Sequence, residues 1–98
     1  MAYQATITKV SVAQQGTNLY DITMKMIVND GVSDIFTTTA NARYNSAVGN
    51  LNDSKTQILN DLKAKWDKFK AEYILYSAAS MNNAVTDIQT QANTYINL

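Results

Sequence analysis

The fold is decided by residues 19–30, which read LYDITMKMIVND. Apolar side chains occupy every second position of this stretch, and most positions between them are polar. A period of two places the apolar set on one face of a β-strand, because successive strand side chains point to opposite sides. We therefore expect a strand whose core-facing residues are Tyr20, Ile22, Met24, Met26 and Val28.

The apolar period changes near the middle of the chain. Up to about residue 40 apolar side chains alternate with polar ones, and beyond about residue 50 they recur every three or four positions. The sequence therefore predicts an α+β fold, an N-terminal three-stranded antiparallel β-meander followed by two α-helices packed on one face. The expected limits, within a single domain of residues 1–98, are a meander over 1–40, a connector over 41–53, and helices over 54–76 and 80–96.

The first strand changes the parity of its apolar positions. Apolar side chains stand at odd positions up to Ile7 and at even positions from Val10 onward. One strand keeps both sets facing inward, toward the core, only if an extra residue is inserted between them. We therefore expect a β-bulge near Thr8 and Lys9.

The turn between the second and third strands is predicted at residues 29–31, which read NDG. A two-residue turn pairs Met26 with Ile35 and turns Phe36 toward the outer face of the sheet. A three-residue turn with a bulge brings Phe36 inward but sets Asp34 opposite Met26. We favour the two-residue turn because it keeps the carboxylate off the apolar face.

The two-residue turn leaves several apolar side chains on the outer face of the sheet. Such residues are either scattered surface side chains or parts of a protein contact surface. The candidate contact surface consists of Leu19, Ile27, Val32 and Phe36.

A helical pattern begins near Ser54, whose spacing to Gln57 matches a capping box, although Asn50 offers an earlier start. Apolar side chains then recur at helical spacing, so this stripe is expected to face the core. Its residues are Ile58, Leu62, Trp66, Phe69, Tyr73 and Tyr76.

The apolar stripe changes direction near residues 77–80. One unbroken helix over 54–96 would exceed about 60 Å in length, whereas a compact chain of this size has a radius of gyration of about 13 Å. We therefore expect two helices, with one long helix as the alternative. The core is expected to join the sheet to Trp66, Phe69 and Ile88.

The charge balance argues against a nucleic-acid partner. Lysine and arginine together number 8, and aspartate and glutamate together also number 8. Nucleic-acid binders show a basic excess that this chain lacks. No apolar run approaches the roughly 20 residues that span a bilayer, so no membrane partner is expected either.

Side chains that usually carry out catalysis are scarce. The chain has no Cys and no His, so we expect no cofactor, no metal and no small-molecule substrate. Asp53 with Asp61, or Lys63 with Asp67, are conceivable acid–base pairs, but both lie on a helix surface expected to be exposed. Nothing there shifts their protonation as catalysis requires, so the sequence predicts a protein that is not an enzyme.

The C-terminal segment has an unusual composition. From Tyr73 to Leu98 the only charged side chain is Asp87. Neutral amide and hydroxyl surfaces suit protein contacts, because little charge must be desolvated. Compositional bias is the alternative explanation.

Four segments resemble small proteins encoded in the structural-gene modules of tailed bacteriophages and prophages. They are residues 1–9 (MAYQATITK), 19–23 (LYDIT), 66–69 (WDKF) and 88–96 (IQTQANTYI). The resemblance implies a virion-associated protein of the head, connector or tail, whose partners are other virion proteins or further copies of itself. It also implies that the protein is made in the host cytoplasm and is then located in the virion. The lack of a signal-peptide pattern likewise predicts synthesis in the cytoplasm. The alternative function is a small partner-binding or inhibitory module that is monomeric until bound.

Overall fold

The computed structural model describes residues 2–98 and confirms the α+β class. The three strands form one antiparallel sheet in the order β1-β2-β3, and two helices follow. The elements are β1 (Gln4–Gly16), β2 (Leu19–Asn29), β3 (Asp34–Asn45), α1 (Leu51–Ser77) and α2 (Ala79–Ile96).

The element limits differ from the predicted ones mainly in the third strand. β3 continues to Asn45, so the meander passes residue 40 and the connector is shorter than 41–53. Its second half was missed because Ala40 and Ala42 are poor strand formers. α1 begins before 54, and two separate helices are confirmed.

The chain divides into two compact units, one ending at Trp66 and one running from Asp67 to Leu98. The first unit contains the sheet and the first half of α1, and the second contains the rest of α1 and all of α2. The expectation of one domain over 1–98 stays a prediction.

The core of the first unit lies between β2, β3 and α1. The predicted face of β2 points inward, with Met24 and Tyr20 half-buried. The small side chains of β3 let the helix approach closely, which buries the aliphatic residues above them. The buried apolar residues are Ile22, Met26, Val28, Ala40, Ala42, Ile58 and Leu62.

The predicted bulge is present in β1. The pairing with β2 shifts between Lys9 and Ser11, so Val10 is the extra residue, directly after the predicted position. Ile7 and Val12 therefore point to the same side of the sheet, as the sequence pattern requires.

The register of the second hairpin differs from both predicted turns. Val28 pairs with Phe36 and Asn29 pairs with Asp34, so Ile35 is an extra, bulged residue in β3. The bulge reverses the parity of the strand, because side chains alternate between faces. Phe36 therefore faces the core, and its predicted position on the outer face is wrong.

Side chains at the hairpin tip explain this register. The Asp30 Oδ1 atom accepts hydrogen bonds from the backbone N–H groups of Val32 and Ser33, both at 2.9 Å. The Asn29 side chain accepts from the Gly31 N–H at 2.7 Å and donates to Asp34 at 3.0 Å. Gly31 has a φ of 100°, which suits glycine because it lacks a Cβ atom. These bonds stabilise a loop longer than the two-residue turn.

In the second unit, α1 ends at Ser77 and α2 begins after Ala78, whose extended backbone interrupts the helical hydrogen bonding. The rings of Phe69 and Tyr73 stack with centroids 5.5 Å apart. Ile88 is 66% exposed, so its predicted place in the core is wrong.

Candidate protein contact surface

The four residues of the predicted contact surface do not lie together. Phe36 packs on the inner face, where its ring centroid is 5.9 Å from that of Trp66. Val32 lies in the hairpin loop and is 80% exposed. Leu19 and Ile27 lie on the outer face near opposite ends of β2, about 25 Å apart at the usual rise per strand residue.

The outer face is mostly polar. Thr6 and Thr37 flank Ile27 in the neighbouring strands. Farther along, the Arg43 Nε atom donates to the Asp21 Oδ1 atom at 3.0 Å. Ile27 is therefore a single apolar side chain among polar neighbours, which is common on protein surfaces.

Two side chains hold α1 beside β3. The Ser54 hydroxyl donates to the carbonyl of Arg43 at 2.8 Å, so Ser54 binds the strand and is not the predicted helix cap. The Lys65 ammonium donates to the carbonyl of Thr39 at 2.6 Å and pairs with Asp61 at 2.9 Å. Both carbonyls belong to β3, the edge strand opposite β1, so α1 is fixed on that side of the sheet.

The inner face of the sheet is left open on the β1 side within the described part of the first unit. Every β1 residue is exposed except Gly16, which is half-buried. Ile7 and Val12 pair with Met26 and Ile22 and so share the side of the core. They nevertheless remain 48% and 56% exposed, because one helix covers only part of the sheet.

An apolar groove of about 190 Å³ lies between β1 and α1 within the first unit. Its sheet side is formed by Tyr3, Ala5, Met26 and Val28, and its helix side by Leu59, Leu62, Lys63 and Trp66. The rings of Tyr3 and Trp66 meet edge to face, with centroids 5.2 Å apart and planes at 70°. We use the term "open face" for this groove together with Ile7 and Val12.

The charged side chains next to the open face are lysines. Lys63 lines the groove, and Lys9 pairs with Met24, which places it on the inner side of β1. The residues that form the described groove include no carboxylate. The open face therefore carries two cationic side chains, Lys9 and Lys63.

Sequence reasoning treated the apolar residues of β1 as core and so missed the open face. The sequence analysis expected two helices packed on one face of the sheet. Three strands about 4.8 Å apart need two helices about 10 Å apart to cover them. The observed burial in β2 and β3 corresponds to cover by one helix.

The second unit also carries an apolar stripe. In α2 no residue is buried, and only Met81 and Ala84 of this stripe are half-buried. Val85 is 61% exposed, Ile88 66% and Tyr95 76%. We use the term "α2 stripe" for Met81, Ala84, Val85, Ile88, Ala92 and Tyr95.

A shifted pKa is found for the carboxyl group of Asp30, in the loop of the second hairpin. Backbone hydrogen bonds from Ser33 and Val32 lower the pKa of Asp30, but this carboxylate closes the hairpin loop. Among residues 2–98, no group of three or more His, Cys, Asp or Glu side chains could hold a metal ion.

No helix within residues 2–98 combines the length and apolar character needed to cross a membrane.

Comparison with models of protein families, with curated proteins and with solved structures finds no match for this chain.

Proposed function

We propose that this chain is a non-enzymatic structural or accessory subunit that acts through protein–protein contacts, in the particle of a tailed bacteriophage. The observation that carries the proposal is the open face. It combines the apolar groove, which the Tyr3–Trp66 aromatic pair helps to line, with Ile7 and Val12 on the inner side of an edge strand, and it carries two lysines. Apolar grooves with aromatic anchors are typical of protein-binding surfaces.

The open face has a free-energy cost for an isolated chain. Ile7 and Val12 are each about half exposed, so covering each of them contributes on the order of 1 kcal/mol, half of the usual value for full burial. A partner that covers this face therefore gains apolar burial without unfolding any part of the sheet.

The assignment to a phage particle rests on the resemblance of four segments, residues 1–9, 19–23, 66–69 and 88–96, to proteins of phage structural-gene modules. The proposed partners are other virion proteins and further copies of this chain. The proposed location is the virion, after synthesis in the host cytoplasm.

The experiment compares Ile7→Asp with Thr8→Asp in the source phage or prophage. The two residues are neighbours in β1, but Ile7 belongs to the open face and Thr8 points to the outer face. We expect mass spectrometry of purified particles to detect the wild-type protein and to show at least a tenfold loss of Ile7→Asp, with Thr8→Asp retained. Circular dichroism of both variants checks that each still folds.

The proposal is contradicted if the protein is absent from purified particles, or if folded Ile7→Asp is incorporated as well as Thr8→Asp. The alternative function, a partner-binding or inhibitory module, is favoured by the apolar groove beside Tyr3 and Trp66. Such a module remains monomeric until its partner is added, which light scattering of the pure protein detects.

A further inference from the structure

The first unit provides half of a two-helix layer. A three-stranded sheet is about 14 Å wide, and α1 covers the β2–β3 side. A second helix about 10 Å from α1 would lie over β1 and complete the layer. The open face therefore has the width of one helix.

The second unit provides a helix of suitable length. α2 has 18 residues, which corresponds to about 27 Å. β1 has 13 residues, which corresponds to about 43 Å. The strand is therefore long enough to hold the whole α2 stripe.

The charges of the two surfaces are complementary. The open face is bordered by Lys9 and Lys63, and its groove is lined by no carboxylate. The only charged side chain of α2 is Asp87, and no basic residue stands in its last turn. Asp87 lies beside the α2 stripe and not within it, so in a contact made through the stripe this carboxylate stands at the margin, where lysines of the open face complement it.

The contact area favours a reciprocal exchange between two copies. A helix about 27 Å long and about 10 Å wide covers about 270 Å² of a sheet. One such contact buries about 540 Å² in total, which is below the size of a specific interface. Two symmetric contacts bury about 1,000 Å², which reaches that size, and each copy then uses the same two surfaces.

We propose that the open face of one copy binds the α2 stripe of a second copy, and that the second copy returns the same contact. The proposal rests on the proposed function, because it names the partner of the same contact surface.

The test uses the lack of cysteine in this chain. One chain carries Ile7→Cys, and a second chain with a size tag carries Ile88→Cys. The two chains are mixed and oxidised. We expect this pair to give at least tenfold more disulfide-linked dimer than either of two matched control pairs. The first control replaces Ile7→Cys by Thr8→Cys, on the opposite face of β1, and the second replaces Ile88→Cys by Thr90→Cys, on the opposite face of α2.

A chain that carries both Ile7→Cys and Ile88→Cys distinguishes exchange from closure within one copy. Exchange gives a covalent dimer whose yield rises with protein concentration. A cross-linked monomer whose yield is independent of concentration contradicts the proposal, and so does equal reaction in the control pairs. A dominant disulfide between two copies of the Ile88→Cys chain contradicts it as well, because that result shows helix-to-helix pairing.

The two proposals fail in different experiments. If the cross-links show no preference but Ile7→Asp is still lost from particles, the open face binds another virion protein and only the exchange is wrong. If the cross-links form as expected but the protein is absent from particles, the exchange stands and the proposed function is wrong.

Discussion

Phe36 shows how one residue decides which surface of the sheet is available for contact. Its ring lies on the inner face beside Trp66 and forms part of the margin of the core. The sequence analysis predicted the opposite face, because it did not include the extra residue Ile35. This residue reverses the parity of β3 and turns Phe36 inward. Nothing in the apolar pattern of residues 32–36 distinguishes these two registers.

We expect Phe36→Ala to destabilise the protein by about 2–4 kcal/mol, since it removes a large, partly buried ring from the core margin. Urea denaturation followed by the fluorescence of Trp66 measures this loss. Thr37→Ala is the matched control on the outer face and should change the free energy of unfolding by less than about 0.5 kcal/mol. An equally small effect at Phe36 would contradict the observed register.

At the scale of single elements, the second hairpin depends on the Asp30 carboxylate. Hydrogen bonds from Ser33 and Val32 lower its pKa below the ordinary value of 3.8. Because the pKa is lower in the folded state, the contribution of Asp30 to stability is present above the ordinary value. It is lost as the pH falls through the folded pKa.

We therefore expect the melting temperature of Asp30→Asn to fall less steeply than that of the wild type as the pH is lowered from about 4 to 2. Asn keeps the acceptor oxygen but has no proton to gain in this range. Asp34→Asn is the comparison, since it changes a carboxylate of the same hairpin. Identical slopes for wild type and Asp30→Asn would show that this carboxylate does not stabilise the loop.

The elements that could be predicted from the sequence are those with a strong apolar period. The inward face of β2 and the break between the two helices follow from spacing alone. The longer β3 could not be predicted, because Ala40 and Ala42 are buried by close contact with α1 and have little strand preference of their own. The hairpin register depends on side-chain hydrogen bonds of Asp30, which an apolar pattern does not encode.

At the scale of the whole molecule, the open face depends on how many helices cover the sheet, and no single residue shows that number. Each apolar residue of β1 fits the pattern of a core strand, and the sequence analysis placed them there. Their exposure results from the number of helices that the first unit can place on three strands. The predicted patch of Leu19, Ile27, Val32 and Phe36 does not lie together for a different reason, because the extra residue Ile35 turns Phe36 to the inner face.

The central claim is that the open face is covered when the protein performs its function. Hydroxyl-radical footprinting of the purified protein at low concentration and of intact particles measures side-chain cover directly. We expect the reactivity of Ile7 and Val12 to fall at least fivefold in the particle. Val32 in the hairpin loop is the internal reference and should remain reactive. Equal reactivity of the β1 residues in both samples would contradict the account.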